Sequence, residues 1–393
     1  MIEPTTELEL SEAVRDAVGP LSIRGGNTRG MAPAAGDPLS VARVSGISLY
    51  EPGALTIVAG AGTPLSEIED ALKQEGQMLP FEPMDHRPML GTDGTPTIGG
   101  VVAANVSGPR RLRAGACRDS LIGVRFVDGR GVALKNGGRV MKNVTGYDLV
   151  KLLSGSYGTL GVLSEVSFKL LPKHDATGVV SLHGLSLSDG VAAMAAALGS
   201  PYEVSGAAMT PGVDDGAGSV VRLRLEGFEN SVAYRGAQLQ SVLKKFGAAD
   251  MAMGGEEDWR AVRDVDAFAD KTCIWKIAIK ASDVPQMLET GIWPNFGCDA
   301  LLDWGGGLIW VGCDEAQLAA ISDDPIEGAA RLHAALQSYM QVVGGHATLV
   351  KGPVALKSRV PVFQPEATPL VGLATGLRAQ FDPRGILNPG IMG

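Results

Sequence analysis

Cysteine is scarce and scattered: Cys117, Cys273, Cys298 and Cys313 form no C-x-x-C pair and no Cys/His cluster. That spacing fits no zinc site, no iron–sulfur cluster and no disulfide framework, and it predicts four reduced structural thiols in a cytoplasmic protein. Histidine is scarce too, with five in 393 residues, so a metal cluster has little to draw on. No apolar run approaches the roughly 18 residues of a membrane span. The start, Met1-Ile2-Glu3-Pro4, lacks the basic residues and apolar core of a signal peptide. Basic residues are outnumbered, 34 Lys and Arg against 43 Asp and Glu, for a net charge of -9. This balance argues against nucleic acid as a partner, because phosphate contacts need a basic footprint. An anionic small molecule would need a local basic pocket to overcome the same field. No G-x-x-x-x-G-K-S/T string occurs, which removes a P-loop.

Glycine, by contrast, is abundant: 53 residues with no fixed period. Two segments stand out, Arg24-Gly25-Gly26-Asn27-Thr28 and Thr97-Ile98-Gly99-Gly100. Each is read as following an apolar run, sits beside a hydroxyl residue and leaves backbone N–H groups uncovered, which makes an anion-binding concavity. Together they suggest an extended ligand with a diphosphate in its middle. The second segment leads into Val101-Val102-Ala103-Ala104-Asn105, an apolar helical run, so its glycines fall at a helix start. A third glycine-rich stretch, Gly155 to Leu163, leads into a strand.

The length predicts two or three domains. Residues 1–175 alternate short apolar runs with helical stretches. Ala54 to Ala59 reads as a strand, followed by a helix capped by Thr63 with Pro64 at its first position. Leu121 to Val127 and Leu160 to Leu171 read as further strands. Residues 176–355 read as an open antiparallel sheet with helices on one face, from strands such as Cys273 to Ile279 and helices such as Gly328 to Val343. Residues 356–393 hold one more helix and then the turn-dense Asp382-Pro383 to Asn388-Pro389-Gly390, which predicts a docked, extended tail. Val58-Ala59-Gly60-Ala61-Gly62 has the strand-to-helix context of a Rossmann fingerprint, but Leu65 stands where its third glycine belongs. It reads as an ordinary turn, and the nicotinamide reading falls.

In this order, Arg-Gly-Gly-Asn-Thr, Thr-Ile-Gly-Gly and Gly158-Thr159-Leu160-Gly161-Val162 resemble the FAD-binding domain of the vanillyl-alcohol oxidase, or PCMH, type. Gly76 to Pro83, Ser107 to Arg111, Val140 to Asp148 and Phe381 to Pro389 sharpen the resemblance to the FAD-binding subunits of bacterial glycolate oxidase. It is dense from 20 to 173, sparse in the middle and returns at the end. The resemblance implies an α+β protein, with a PCMH-type two-subdomain FAD-binding domain at 1–175. An α+β cap domain with an antiparallel sheet would occupy 176–355, and 356–393 would return to the FAD domain. It implies that Arg24, Gly25, Gly26, Asn27 and Thr28, with Thr97, Ile98, Gly99 and Gly100, hold the FAD diphosphate. Ala103, Ser107 and Gly108 would lie along the ribityl chain and flavin, and Gly158, Gly161 and Val162 at the adenosine end. Pro80, Arg118 and Asn388 complete the expected contacts. Relatives with covalent flavin carry His in the first glycine loop, where this chain has Asn27 and Thr28, so non-covalent FAD is expected.

Catalytic residues are less marked. The His-x-Gly-Asp-Gly-Asn string of catalytic 2-hydroxyacid dehydrogenases is absent, and Gly344-Gly345-His346-Ala347-Thr348 is the nearest segment. His346 reads as a strand-start histidine, with a substrate-side base as the alternative. Arg110, Arg111, Arg113 and Arg118 form a basic cluster that could clamp a carboxylate or the FAD phosphates, Arg118 foremost if Asp119 orients it, with a solvated or subunit-facing patch as the structural alternative. Tyr147-Asp148 reads as a buried structural pair, with an acid/base couple as the alternative. The resemblance implies an oxidoreductase subunit that works with a catalytic flavoprotein and an iron–sulfur subunit to oxidise glycolate to glyoxylate. It implies no metal and no transmembrane segment, a cytoplasmic location, and any membrane association only through the complex. A self-sufficient FAD dehydrogenase of another small 2-hydroxyacid such as D-lactate, and a non-catalytic scaffold, are the alternatives.

Overall fold

The computed structural model describes residues 1–30, 35–138, 146–212, 218–290 and 296–392. Residues 139–145, which carry most of the Val140 to Asp148 string, lie outside the described residues.

Two sheets organise the molecule. The first is five-stranded and antiparallel, in the order Ile47–Glu51, Thr56–Gly60, Val162–Lys169, Leu121–Val127, Ala133–Gly137. Its central strand, Val162–Lys169, comes late in the sequence, so the sheet closes only when residue 160 returns between two earlier strands. The helix after Thr56–Gly60 spans Leu65–Gln74, one residue later than expected, with Pro64 as its N-cap. Thr63 does not cap it, because its hydroxyl donates backwards to the Gly60 carbonyl at 2.7 Å. Leu65, Ile68 and Leu72 bury the helix's apolar stripe, as the 3.6-residue period dictates.

The second sheet has eight antiparallel strands, in the order Ala249–Met253, Ala176–His183, Val220–Gly227, Gly206–Thr210, Asp299–Asp303, Leu308–Cys313, Cys273–Ala278, His346–Lys351. Alternation gives it two faces. In Cys273–Ala278, residues Cys273, Trp275 and Ile277 join the core under the helices Leu187–Leu198, Glu229–Leu243 and Pro325–Val343. Ile274 instead packs with Leu301, Leu308, Trp310 and Val350 against the core of the first sheet. Lys276 falls on this second face. One face therefore makes its own core, and the other lies over the first sheet.

A third, smaller core gathers Leu10, Val14, Leu21, Leu39, Val162, Ile386 and Leu387, and it docks the tail. Leu387 bridges Leu21 in parallel. The helix before the tail, Thr368–Phe381, buries none of its residues. It touches the body mainly at its C-terminal end, where Phe381 packs on Phe126 at 6.1 Å.

One thiol expectation needs correction. Cys298 and Cys313 form a disulfide with Cα atoms 5.0 Å apart, leaving Cys117 and Cys273 free and buried. The reason is register: Asp299 pairs with Gly312 across a hairpin, which sets 298 opposite 313. A separation of 15 residues carries no motif for the eye.

Candidate functional site

A cavity of about 540 Å³ opens where the glycine segments meet. Its walls include Arg24 to Thr28, Thr97, Gly99, Gly100, Ala103, Gly158, Gly161, Val162 and Asn388. Four stretches distant in sequence therefore converge on one space. The backbone fits there only because side chains are missing. A Cβ on Gly25 would lie 2.3 Å from the Thr97 hydroxyl, and one on Gly26 would lie 1.5 Å from the Thr95 carbonyl oxygen. Three wall residues that are not glycine, Asn27, Tyr157 and Asn388, hold positive φ of 55°, 51° and 46°. Such backbone costs of order 1 kcal/mol each and collects at ligand clamps. The Thr97 side chain caps the short Ile98–Ala103 helix by accepting from the Gly100 N–H. These features make a narrow, preshaped cradle with bare N–H groups, the shape and chemistry that an extended dinucleotide requires.

Asn388 uses both ends of its amide on the wall. Its Oδ1 accepts from the Ile23 N–H at 2.7 Å, and its Nδ2 donates to the Tyr157 carbonyl at 2.8 Å. It ties the strand before the first glycine loop to the Gly155–Gly158 turn. Among the described residues, no His or Cys lines this cavity. Lys351 and Lys357, which the sequence did not mark, line its far side. Lys357 donates to the Gly30 carbonyl at 3.1 Å.

Some expected contacts lie elsewhere. Ile98 is buried beneath the cradle, its N–H donating to the Thr63 carbonyl at 3.0 Å. Pro80 lies in the first core, held there by Leu79 and Phe81 on either side. Arg118 is exposed and lines neither cavity. Asp119 does not orient it, since that carboxylate accepts from the Ala116 N–H and pairs with Lys151. Tyr147 is 88% exposed, so it is no buried pair, and Asp148 caps the Leu149–Leu153 helix by accepting from the Lys151 N–H.

A second cavity, of about 260 Å³, adjoins the first, and both share Arg29, Ala104 and Tyr157 as walls. It lies between the two sheets. From the first part come His86, Ser107, Gly108 and Arg111. From the second face of the eight-stranded sheet come Lys276, Ala278, Asp303, Leu308, Trp310, His346 and Thr348. Register explains that set. Lys276 stands opposite both Trp310 and Thr348, Ala278 opposite Leu308 and His346, and Asp303 opposite Leu308. His346 is at the exposed rim.

The electrostatics of this space are unusual. Burial pulls the Lys276 ammonium down to about 8, and the neighbouring Arg111 charge acts the same way. Burial also lowers Arg29 to about 10 and Arg111 below its usual range. His86 is driven well below the ordinary histidine value by burial, then by Arg29 and Lys276, so it is neutral. Arg29 Nε donates to its Nδ1 at 3.3 Å. Asp303, 3% exposed, is pushed up to about 7 by burial.

Arg110, from the same basic cluster in sequence, does something else. With Arg224, Glu82 and Glu226 it forms a buried quartet of two cations and two anions. Arg224 is bidentate to Glu82 at 2.8 Å on both arms, and Arg110 is bidentate to Glu226 at 2.7 and 3.1 Å. Burial would raise Glu226, but Arg110 and Arg224 outweigh it and hold the carboxyl at about 2. Arg113 pairs with Glu203 at the surface. Of the four expected arginines, Arg111 lines the second cavity, and the other three line neither of the two cavities described.

Among the described residues, no group of three or more His, Cys, Asp and Glu is placed to hold a metal ion. Nor is any helix among them long and apolar enough to cross a membrane.

Comparison with known proteins agrees with this geometry. The FAD binding domain family matches residues 1–137. Escherichia coli glycolate oxidase subunit GlcE is 35% identical, over 98% of this chain and 95% of that protein. Archaeoglobus fulgidus D-lactate dehydrogenase is 31% identical over 44% of this chain, which spans 39% of that enzyme. Among solved structures, alkyldihydroxyacetonephosphate synthase superposes with a TM-score of 0.70 at 15% identity, covering 98% of this chain and 76% of that one. That likeness extends the fold across both sheets.

Proposed function

Since the chain belongs to the family of the FAD-binding glycolate oxidase subunits, we propose that it carries FAD within a glycolate-oxidising complex. There it takes part in the conversion of glycolate to glyoxylate and in electron transfer. It is an FAD-dependent oxidoreductase related to enzymes that act on 2-hydroxyacids. The carrying observation is the convergence of both glycine segments, the Gly158 to Val162 stretch and Asn388 on one cavity of about 540 Å³.

In this reading the bare N–H groups of Gly25 to Thr28 receive the diphosphate, while Gly99 and Gly100, whose N–H groups are taken by the Ala61 carbonyl and the Thr97 hydroxyl, leave it room by having no side chain. Gly158, Gly161 and Val162 border the adenosine end, and Ala103 with Arg29 marks the flavin end, toward the second cavity. FAD supplies the hydride and electron chemistry when bound. The chain's own residues orient it, exclude water from the space between the sheets and set the local charge. The absence of His and Cys from the cradle supports non-covalent attachment. We further propose the division 1–175, 176–355 and 356–393 as the functional one, with the middle part covering the second cavity.

The subunit reading has its own support. The Thr368–Phe381 helix exposes Leu370, Val371, Leu373 and Leu377, the last-but-one being 67% accessible. An apolar helix left uncovered marks an interaction surface. We assign it to the catalytic flavoprotein or iron–sulfur partner of a cytoplasmic complex, through which any membrane contact would run.

The experiment is direct. The purified chain should show a flavin spectrum at one FAD per protein, and acid precipitation should release the flavin into the supernatant. Gly26→Val should lose the flavin, because its side chain has no room beside Thr95. A colourless protein that takes up no added FAD would overturn the proposal. Anaerobic bleaching by glycolate, with and without the partner subunits, then tells whether this chain meets the substrate itself.

A further inference from the structure

The second cavity holds more positive charge than the fold needs. Arg29, Arg111 and Lys276 all line it. Among the described residues, none of the three lies within 4.0 Å of a carboxylate. The other cation on the wall, Arg263, is matched by Asp264 at 2.8 Å. Asp303 is the one acidic wall residue, and it keeps its proton up to about pH 7. Unmatched buried cations are costly, and an anion bound beside them would offset that cost. In a chain of net charge -9 this is a local inversion of sign.

We infer that the second cavity is an anion site belonging to this chain, where Arg111 and Lys276 hold the carboxylate of a small acid beside Trp304. The inference rests on the FAD reading only for the acid's position next to the flavin; the anion site itself stands on the side chains. Arg111 Cζ lies 4.4 Å from the centre of the Trp304 ring, and Lys276 Nζ lies 5.4 Å from it. The indole is fixed in turn, its Nε1 donating to the Gly108 carbonyl at 3.0 Å. A guanidinium lying over an aromatic ring keeps its edge N–H groups free for a planar, two-oxygen acceptor, and a carboxylate matches that edge. The volume of about 260 Å³ admits a short acid and excludes a bulky one. Arg111 comes from the first part of the chain and Lys276 from the eight-stranded sheet, so the site exists only where the two meet.

The test is calorimetric titration of the full chain with oxalate, a small acid that flavin does not oxidise, in the FAD-loaded protein and after flavin removal. One site is expected, with quenching of tryptophan fluorescence as it fills. Arg111→Met and Lys276→Met should each weaken oxalate at least tenfold while melting temperature and flavin content hold. Arg113→Met, at the surface pair, should change nothing. Uptake by flavin-free protein supports the anion site even if FAD binding fails. No oxalate uptake by a folded, flavin-loaded protein overturns the inference, as does wild-type affinity in both cavity variants. Inorganic phosphate binding as tightly as oxalate would overturn the carboxylate assignment.

Discussion

Two groups of buried charge lie on the seam between the sheets, and they are built in opposite ways. In the quartet of Arg110, Arg224, Glu82 and Glu226, each cation meets a carboxylate in a fork, and the charges sum to zero. In the second cavity, Arg29, Arg111 and Lys276 face a carboxyl that is neutral below about pH 7. Arg110 and Arg111 are adjacent in sequence, yet one belongs to each group. Arg110 lies just before the four-residue helix Arg111–Ala114, with its main-chain N–H fixed on Glu82, while Arg111 turns onto Trp304. The balanced group holds the two halves of the molecule together. The unbalanced one keeps a place for something else. Adjacent residues of one type can thus be sorted only by what stands opposite them.

Mutation can break that contrast most sharply at the quartet. Arg224→Met takes away the bidentate partner of Glu82 and leaves two buried carboxylates to Arg110 alone, which should cost about 3–5 kcal/mol of stability, read by denaturant unfolding. The paired variant Glu82→Gln/Arg224→Met should lose less than the two single changes summed, which a double-mutant cycle would reveal. The cavity should respond the other way. Lys276→Met removes a cation whose ordinary value near 10.4 is depressed to about 8. At neutral pH the wild-type fold carries that cost, so the variant should melt at the same temperature or a few degrees higher. If Lys276→Met destabilised the fold as much as Arg224→Met, the two groups would not differ in kind.

Acid and base titration sharpens the same contrast at smaller amplitude. Glu226 is held below its ordinary value, so its contribution is complete above the usual glutamate range and is shed as pH falls toward about 2. Asp303 has the opposite sign. Its folded carboxyl is raised, so stability falls as pH climbs from the ordinary aspartate range to about 7 and stays lower above it. Asp303→Asn should flatten that segment of the stability profile and leave the acid limb intact. The smallest effect belongs to the surface: Arg113→Ala, which breaks the exposed pair with Glu203, should change stability by no more than about 1 kcal/mol.

The two regions were also unequally legible from sequence. The glycine cradle could be read because its chemistry is local: Gly25, Gly26 and Gly158 announce close backbone approach by their identity alone. The quartet could not, since Arg110 finds Glu226 at a distance of 116 residues. Lys276 and Asp303 were missed for a related reason, because strand register alone sets them opposite Trp310 and Leu308. One signal was available: Lys276 interrupts the apolar strand Cys273-Ile274-Trp275-Lys276-Ile277, where alternation demands a buried face. Arg118 misled because Asp119 beside it suggested a pair, whereas Lys151 had already taken that carboxylate. The fold's broad division, an antiparallel sheet covered by helices after residue 175, followed from periodicity; the disulfide did not.

The tether made by Asn388 bears on how the protein comes into being on the ribosome. Its partner on the first glycine strand, Ile23, lies 365 residues upstream. The glycine loop is therefore synthesised well before the side chain that ties its strand to the far wall. A nascent chain still short of residue 388 has a cradle open on one side. Closure of the cradle wall at Ile23 in this sense waits on residue 388.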